Sequence, residues 1–421
     1  MTFFNYFIEY NRYLNIIGIA AIFAVAYLFS FNRRAINFRV VASALVLHFA
    51  FALFMLRTSW GQMIIGSIAY AAAHLSVFAD KGILFMFGKL GDAAMPWGFI
   101  FAVKVLPVII FVGALTALLY HWCIIQKIVK GMNWLIRPLL GTSGVETVSA
   151  IANSILGQTE AALFISNYLQ IMTTSELFVY MTSGMAAISI SVLVMYVLLG
   201  IPGIHLLTAA MMSVPAAIFI AKIMMPETEE SVVDKKVDFE KKSTNMFDAI
   251  AKGTMNGLKL AVAVAAMLIA FLALISLTDF ILTSLSFYLN QLFDYLHMGI
   301  HLPALTIGTI FSYIFAPFVY LLGFTGAELW SAGKLLGIKV AGNELLAFTE
   351  LVKTEVSPRT FTILVYALCG FSNFSCIGIQ IGMIGALAPE KRQTITQLGL
   401  YAVLSSSLAN LLSAMVVGLL L

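Results

Sequence analysis

Two short stretches of the chain hold carboxylates in apolar surroundings. Gly157-Gln158-Thr159-Glu160 lies inside an apolar run from Ala150 to Ile165, and Asn343-Glu344 lies within Val340–Ala347. An ionised side chain at membrane depth costs at least ~3 kcal/mol, so it marks either a functional site or a structural hydrogen bond to a neighbouring helix. Glutamine and threonine crowd the turn before Glu160, as at a recognition tip where backbone and side chains read a polar ligand. A third cluster, Ser372-Asn373-Phe374-Ser375, interrupts apolar sequence between Ala367 and Ile381. Lone serines in apolar helices usually bond back to their own backbone, but an asparagine between serines reads as lining a site. Two carboxylates flanked by amides and hydroxyls suit a neutral ligand rich in donors, such as a hydroxylated sugar or a nucleobase. A dicarboxylate would want arginine, and the only one near either motif is Arg359, at a helix edge. Glu146 and Glu328 stand where each could cap or anchor a helix.

The elements that must position these residues follow from composition. Of 421 residues, 61% are hydrophobic and 10% charged, against about a quarter charged in soluble domains. Apolar runs of at least about 18 residues recur along the chain, the signature of spanning helices. Barrel strands would alternate polar and apolar over about ten residues. The expected fold is therefore an all-α membrane protein with eight transmembrane helices, at about 14–31, 40–56, 99–120, 177–198, 204–224, 255–285, 360–387 and 397–419. The first run ends at Arg33 and Arg34 with no small-residue cleavage pattern and reads as a retained helix. Residues 60–95, punctuated by glycines and carrying Asp80, Lys81, Lys89 and Asp92, suit interfacial helices. Residues 303–323 read as interfacial or bent. Lys104 and Lys259 read as snorkelling side chains near helix starts, and Lys334 also falls near apolar sequence. Arg33, Arg34, Arg39, Lys127, Lys130, Arg137, Lys391 and Arg392 fall in loops that a single topology places inside. The hydrophilic stretch 226–248, with seven acids and four lysines, reads as a cytoplasmic linker.

Residues 144–170 and 326–352 are too polar to face lipid and too apolar to be loops, so they are expected to be re-entrant hairpins, which survive only when buried in protein or lining a cavity. They form a repeat. Each carries two glutamates, Glu146 and Glu160 or Glu328 and Glu344, and each precedes a helix with a polar break. Glu160 to Ser189 and Glu344 to Asn373 are both 29 residues. Three spanning helices between the hairpins make the repeats inverted, with broken helices meeting at the midplane, as in secondary transporters. There is no phosphate-binding Gly-x-x-x-x-Gly-Lys-Ser/Thr loop, no Gly-x-Ser-x-Gly elbow and no His-Glu-x-x-His. No basic, aromatic-rich patch points to nucleic acid. Cys123, Cys369 and Cys376 sit in apolar sequence and read as buried thiols.

Gly157-Gln158-Thr159-Glu160, Asn343-Glu344 and Gly370-Phe371-Ser372-Asn373-Phe374-Ser375 resemble the concentrative nucleoside transporters, in order and spacing over nearly the whole chain. The length resembles the bacterial branch. The resemblance implies a cation-coupled nucleoside symporter of the inner membrane, a homotrimer among lipids, not an enzyme, with no cofactor beyond co-transported Na+ or H+. It implies scaffold helices in 1–143, a first transport repeat in 144–224, a linker with a scaffold and an interfacial helix in 225–325, and a second transport repeat in 326–421. It places the base against Gly157, Gln158, Thr159, Glu160 and Val192. The ribose falls against Glu344, Phe371, Asn373, Ser375 and Cys376, the last standing where the family often has serine. A sodium ion would meet Asn153, Leu156, Ile188 and Ser189; the family's serine ligand falls on Ala187, with Ser189 the nearest hydroxyl. Two rivals remain on the residues alone: a symporter for another small polar solute, and a membrane enzyme using Glu160 and Glu344 as an acid–base pair.

Overall fold

The computed structural model describes residues 3–92, 100–229 and 243–421. Every element among them is helical. The hydrophilic stretch falls largely outside this range, with Lys235, Lys236, Lys241 and Lys242, as does residue 99. The opening helices are α1 (Arg12–Leu28), α2 (Phe38–Arg57), α3 (Ser59–Phe87), α4 (Leu106–His121) and α5 (Ile124–Leu140). A helix pair follows, α6 (Gly144–Leu156) and α7 (Gln158–Phe164), then α8 (Thr174–Ala186), α9 (Ile190–Leu198) and α10 (Gly203–Met224). Next come α11 (Met246–Tyr295) and α12 (Ile307–Leu321). The second half repeats the pattern with α13 (Gly326–Ala341), α14 (Glu344–Leu351), α15 (Pro358–Leu368), α16 (Phe374–Leu387) and α17 (Arg392–Leu420).

Six helices among the described residues are long and apolar enough to cross a membrane: Tyr6–Leu28, Phe38–Arg57, Phe101–His121, Gly203–Met224, Met246–Tyr295 and Pro389–Leu420. They fall on six of the eight expected spans. The other two, 177–198 and 360–387, are each cut in two, at 187–189 between α8 and α9 and at 369–373 between α15 and α16. The polar breaks expected in these two helices fall at the ends of the cuts, at Ser189 and at Ser372-Asn373. Residues 303–323 contribute α12, which meets α13 at a bend of 118°.

Three expectations need correction. Residues 59–87 form one continuous helix, because Gly66 and Gly82 face open space and nothing exploits their freedom to break it. Lys104 does not snorkel: its Nζ donates to Asp80 at 2.8 Å, closing α3 onto the segment before α4. Lys259 is not near a helix start, because α11 begins at Met246 and runs for 50 residues. At 1.5 Å per residue α11 is roughly 75 Å long, far more than the roughly 30 Å of hydrocarbon, so it tilts or runs on past the membrane.

Packing divides the helices into an exposed frame and a buried centre. α10 and α17 are buried along most of their length and pack against α2, α8, α15 and each other. α11 is exposed along nearly all of its length and packs against α4. There a Cβ on Gly257 would lie 2.8 Å from Ile110 Cα, so glycine sets how closely the backbones approach.

Each helix pair is anchored by its first glutamate. Glu146 closes a capping box with Ser143 at the start of α6 and is ion-paired with Lys222 near the end of α10, both buried. Lys222 Nζ also donates to Ser175 Oγ at 2.9 Å, joining the start of α8. Glu328 instead accepts from Ser357 N (2.7 Å) and Thr360 Oγ1 (2.6 Å), holding the start of α15. Removing one partner of a buried pair leaves an uncompensated charge at a cost of about 3–5 kcal/mol. Lys222→Met is therefore expected to lower the thermal unfolding midpoint of the purified protein clearly. The double change with Glu146→Gln should recover most of the loss, as read by a thermal melt in detergent.

Candidate functional site

Both breaks turn the starts of their second halves toward the same place. Ser189 caps α9, accepting from Val192 N at 3.4 Å. Asn373 caps α16, accepting from Cys376 N at 3.1 Å. The turns of the two helix pairs arrive from either side. At the first turn Gly157 adopts φ +87° and ψ 164°, a region essentially reserved for glycine. A Cβ there would lie 2.7 Å from Ser189 Cβ, so the α6–α7 turn is pressed onto the start of α9. At the second turn Asn343 caps α14, accepting from Leu346 N at 2.9 Å, which places Glu344 in the first helical turn.

Between these four elements lies a cavity of about 150 Å³. Gly157, Gln158, Thr159, Glu160 and Val192 line it from one repeat. Glu344, Phe371, Asn373, Ser375 and Cys376 line it from the other. All ten residues placed against the nucleoside by the resemblance thus line one space. Leu156 and Ser189 also reach its wall, whereas Asn153 and Ile188 are buried behind it.

The two carboxylates differ in their surroundings. Glu344 is buried and held on both oxygens: Tyr196 Oη donates to Oε1 at 2.7 Å and Asn373 Nδ2 donates to Oε2 at 3.1 Å. Ser375 Oγ donates to Asn373 Oδ1 at 2.6 Å, extending the network along α16. Glu160 is only partly covered and faces the space without a protein hydrogen bond among the described residues. It also lines a second cavity of about 590 Å³, bounded by Tyr120, Asn256 and Lys259. That larger space is also lined by residues between 243 and 259 and shares Leu156 and Glu160 with the smaller one.

Sequence reasoning missed two residues that shape the site. Tyr196, on α9, orients Glu344. Gln380, fully buried on α16, donates to Gln158 Oε1 and to Met181 O, both at 3.1 Å. Gln158 Nε2 in turn donates to Cys376 Sγ at 3.3 Å, so the α6–α7 turn is tied to α16 by side chains more than 200 residues apart in sequence. Gln380 was legible as a lone amide in an apolar helix; nothing marked Tyr196 among the other aromatics.

Comparisons with known proteins agree with this architecture. Residues 17–90 match the Na+ dependent nucleoside transporter N-terminus model, 102–203 the nucleoside recognition (Gate) model, and 205–418 the Na+ dependent nucleoside transporter C-terminus model. The chain belongs to the concentrative nucleoside transporter family. It is 34% identical to the nucleoside permease NupC of Helicobacter pylori over 97% of this chain and 98% of the relative. It is 40% identical to an uncharacterised transporter of Haemophilus influenzae, over 96% and 97%. Human solute carrier family 28 member 3 matches at 32% identity over 96% of this chain and 59% of the human protein. Among solved structures, CNTnw in an inward-facing substrate-bound state superposes with a TM-score of 0.88 at 35% identity, covering 96% of this chain and 98% of the other.

Membership makes the chain a multi-pass membrane transporter of the nucleoside class and removes the enzyme reading of Glu160 and Glu344. For a concentrative nucleoside transporter the α6–α7 turn must keep its fit against α9. Gly157→Ala introduces both a clash and a disfavoured backbone, together ~1–3 kcal/mol or more. It is expected to lower nucleoside uptake by about tenfold or more in folded protein, measured as labelled-uridine entry into proteoliposomes.

Proposed function

We propose that the chain is a cation-coupled symporter, driven by sodium or protons, that imports nucleosides across a bacterial inner membrane, and that the 150 Å³ cavity is its nucleoside site. The observation that carries this is Glu344, held on both oxygens by Tyr196 and Asn373 yet facing an open space lined by amides and hydroxyls. A buried carboxylate so oriented is a charge-assisted acceptor for the vicinal hydroxyls of ribose. Asn373 and Ser375 add polar contacts to the sugar, Phe371 offers an apolar wall, and Cys376 is the thiol in reach. Across the cavity Gln158 and Thr159 present an amide and a hydroxyl to the base, with Glu160 and Val192 beside them. The cavity alone is smaller than the roughly 300 Å³ at which ligand pockets begin. The 590 Å³ cavity that shares Leu156 and Glu160 with it supports a site that enlarges as the helix pairs part.

The co-transported ion is assigned to the first break. Asn153 Nδ2 donates to Tyr180 O (3.1 Å) and Ser183 Oγ (2.9 Å), while Asn153 Oδ1 is buried with no partner. An unmet buried acceptor costs about 1–3 kcal/mol, and a sodium ion held with the backbone oxygens of Leu156 and Ile188 and the hydroxyl of Ser189 would relieve it. Proton coupling would use Glu160, a carboxylate at the cavity with no protein donor among the described residues. One cation moving down 100 mV supplies about 2.3 kcal/mol, enough for roughly a fifty-fold nucleoside gradient. As the resemblance implies, the assembly is a homotrimer surrounded by lipid. The exposed apolar faces of α3 and α11, with Phe85, Met86 and Phe280 outward, suit both.

Two measurements test the reading. Glu344→Gln is expected to weaken uridine binding by about tenfold or more in a calorimetric titration; unchanged affinity would remove the ribose assignment. In proteoliposomes, uridine should accumulate under a sodium or a proton gradient and not without one. Sodium dependence assigns coupling to Asn153 and the break at 187–189, and proton dependence assigns it to Glu160. Accumulation under neither, in folded protein, would favour another solute.

A further inference from the structure

The two repeats differ in charge at a matched position. In each, a side chain on the first helix of the pair reaches the first half of the following broken helix. In the first repeat that side chain is Asn153 on α6, four residues before Gly157, reaching Tyr180 O at the middle of α8 and Ser183 Oγ in its last turn. In the second it is Lys339 on α13, three residues before Gly342. Its Nζ donates to Ala367 O, in the last turn of α15, and to Asn410 Oδ1, both at 2.8 Å. Lys339 is 1% exposed, and its partners among the described residues are neutral oxygens rather than carboxylates.

A buried ammonium whose hydrogen bonds go to neutral oxygens is costly, and an apolar side chain would fill the same space. The carbonyl end of a helix, however, carries about half a negative charge and stabilises a cation placed against it. Both breaks present such an end. At the first break the chain supplies only a neutral amide, whose oxygen is left unmet among the described residues. At the second it supplies a positive charge on a tether.

We propose that the Lys339 ammonium is a built-in cation, occupying in the second repeat the place that the co-transported cation takes in the first. The proposal rests on the ion assignment made above. Lys339 then acts as a positioning residue. It holds the end of α15 and the break at 369–373, from which Asn373 caps α16 and donates to Glu344. The symmetric fold is left with one exchangeable cation site, at the first break, because the second is permanently filled.

The test is uridine titration by calorimetry of detergent-purified protein, wild type beside Lys339→Ala. The alanine variant is expected to lose about tenfold or more in affinity. Propylammonium, which restores the missing atoms from Cγ to Nζ, should return most of that loss, whereas 1-propanol, of the same length and uncharged, should not. Wild-type affinity in Lys339→Ala overturns the proposal. So does a loss that both additives repair equally, or that neither repairs while elution and melting match the wild type, since the role is then packing. If Lys339→Ala does not fold, Lys339→Arg and Lys339→Met decide: arginine must keep binding near the wild type and methionine must lose it, and equal affinities overturn the proposal. Wild-type protein that binds no nucleoside overturns the reading of the cavity itself, a result visible without any variant.

Discussion

The side-chain amide of Asn410 carries the constraint on which the two breaks depend. A helix cut inside a membrane leaves backbone groups that no water can reach, and each must find a partner within the protein. Asn410, on the buried helix α17, donates from Nδ2 to Ala186 O at 2.8 Å and to Cys369 O at 2.9 Å, the carbonyls at the two breaks. Its Oδ1 accepts from Lys339 Nζ and from Ser372 Oγ. Both donors and both acceptor positions of one amide are thus used, and the two halves of the molecule are joined through it. The fit leaves no room for a side chain at Gly370, where a Cβ would come within 2.6 Å of Ala186 O and of Asn410 Oδ1.

With the carbonyl ends secured at the back, the amide ends of α9 and α16 are free to face the cavity. This division explains why polar chemistry can sit at membrane depth without unfolding the helices around it. The breaks are not defects compensated elsewhere; in the function proposed above, their carbonyl sides serve as cation positions and their amide sides as a ligand site. Glu344 is held because Tyr196 and Asn373 occupy its oxygens, whereas Glu160, which lines both cavities, has no such partner among the described residues. A held carboxylate and an unheld one suit a fixed contact on one side of a ligand and an adjustable one on the other.

Much of this was legible in the sequence, for one reason. Against a background of 61% hydrophobic residues, a carboxylate or an asparagine in an apolar run stands out, and its cost demands an explanation. The two Glu motifs, the serine–asparagine cluster and their equal spacing were therefore visible, and they line one cavity. Lys339 was equally conspicuous by type, yet Lys334 drew notice instead; Lys334 proves exposed and ion-paired with Glu350 at 3.1 Å. Asn410 and Tyr196 were not legible, because their roles lie in partners between 38 and 224 residues away. The glycines of α3 misled, because a glycine permits a break without causing one.

By itself the sequence determined the class of solvent, the positions of the long apolar helices and the set of polar residues that could meet a ligand, because these depend on local hydrophobicity and on the cost of burying charge. Tertiary structure alone decided which polar groups are spent on each other and which remain for a ligand. Glu344 and Glu160 have the same side chain and similar neighbours in sequence. Only the approach of α9 and α16 gives one two donors and leaves the other facing open space, because hydrogen bonding is settled by distances of about 3 Å that a linear spacing does not contain.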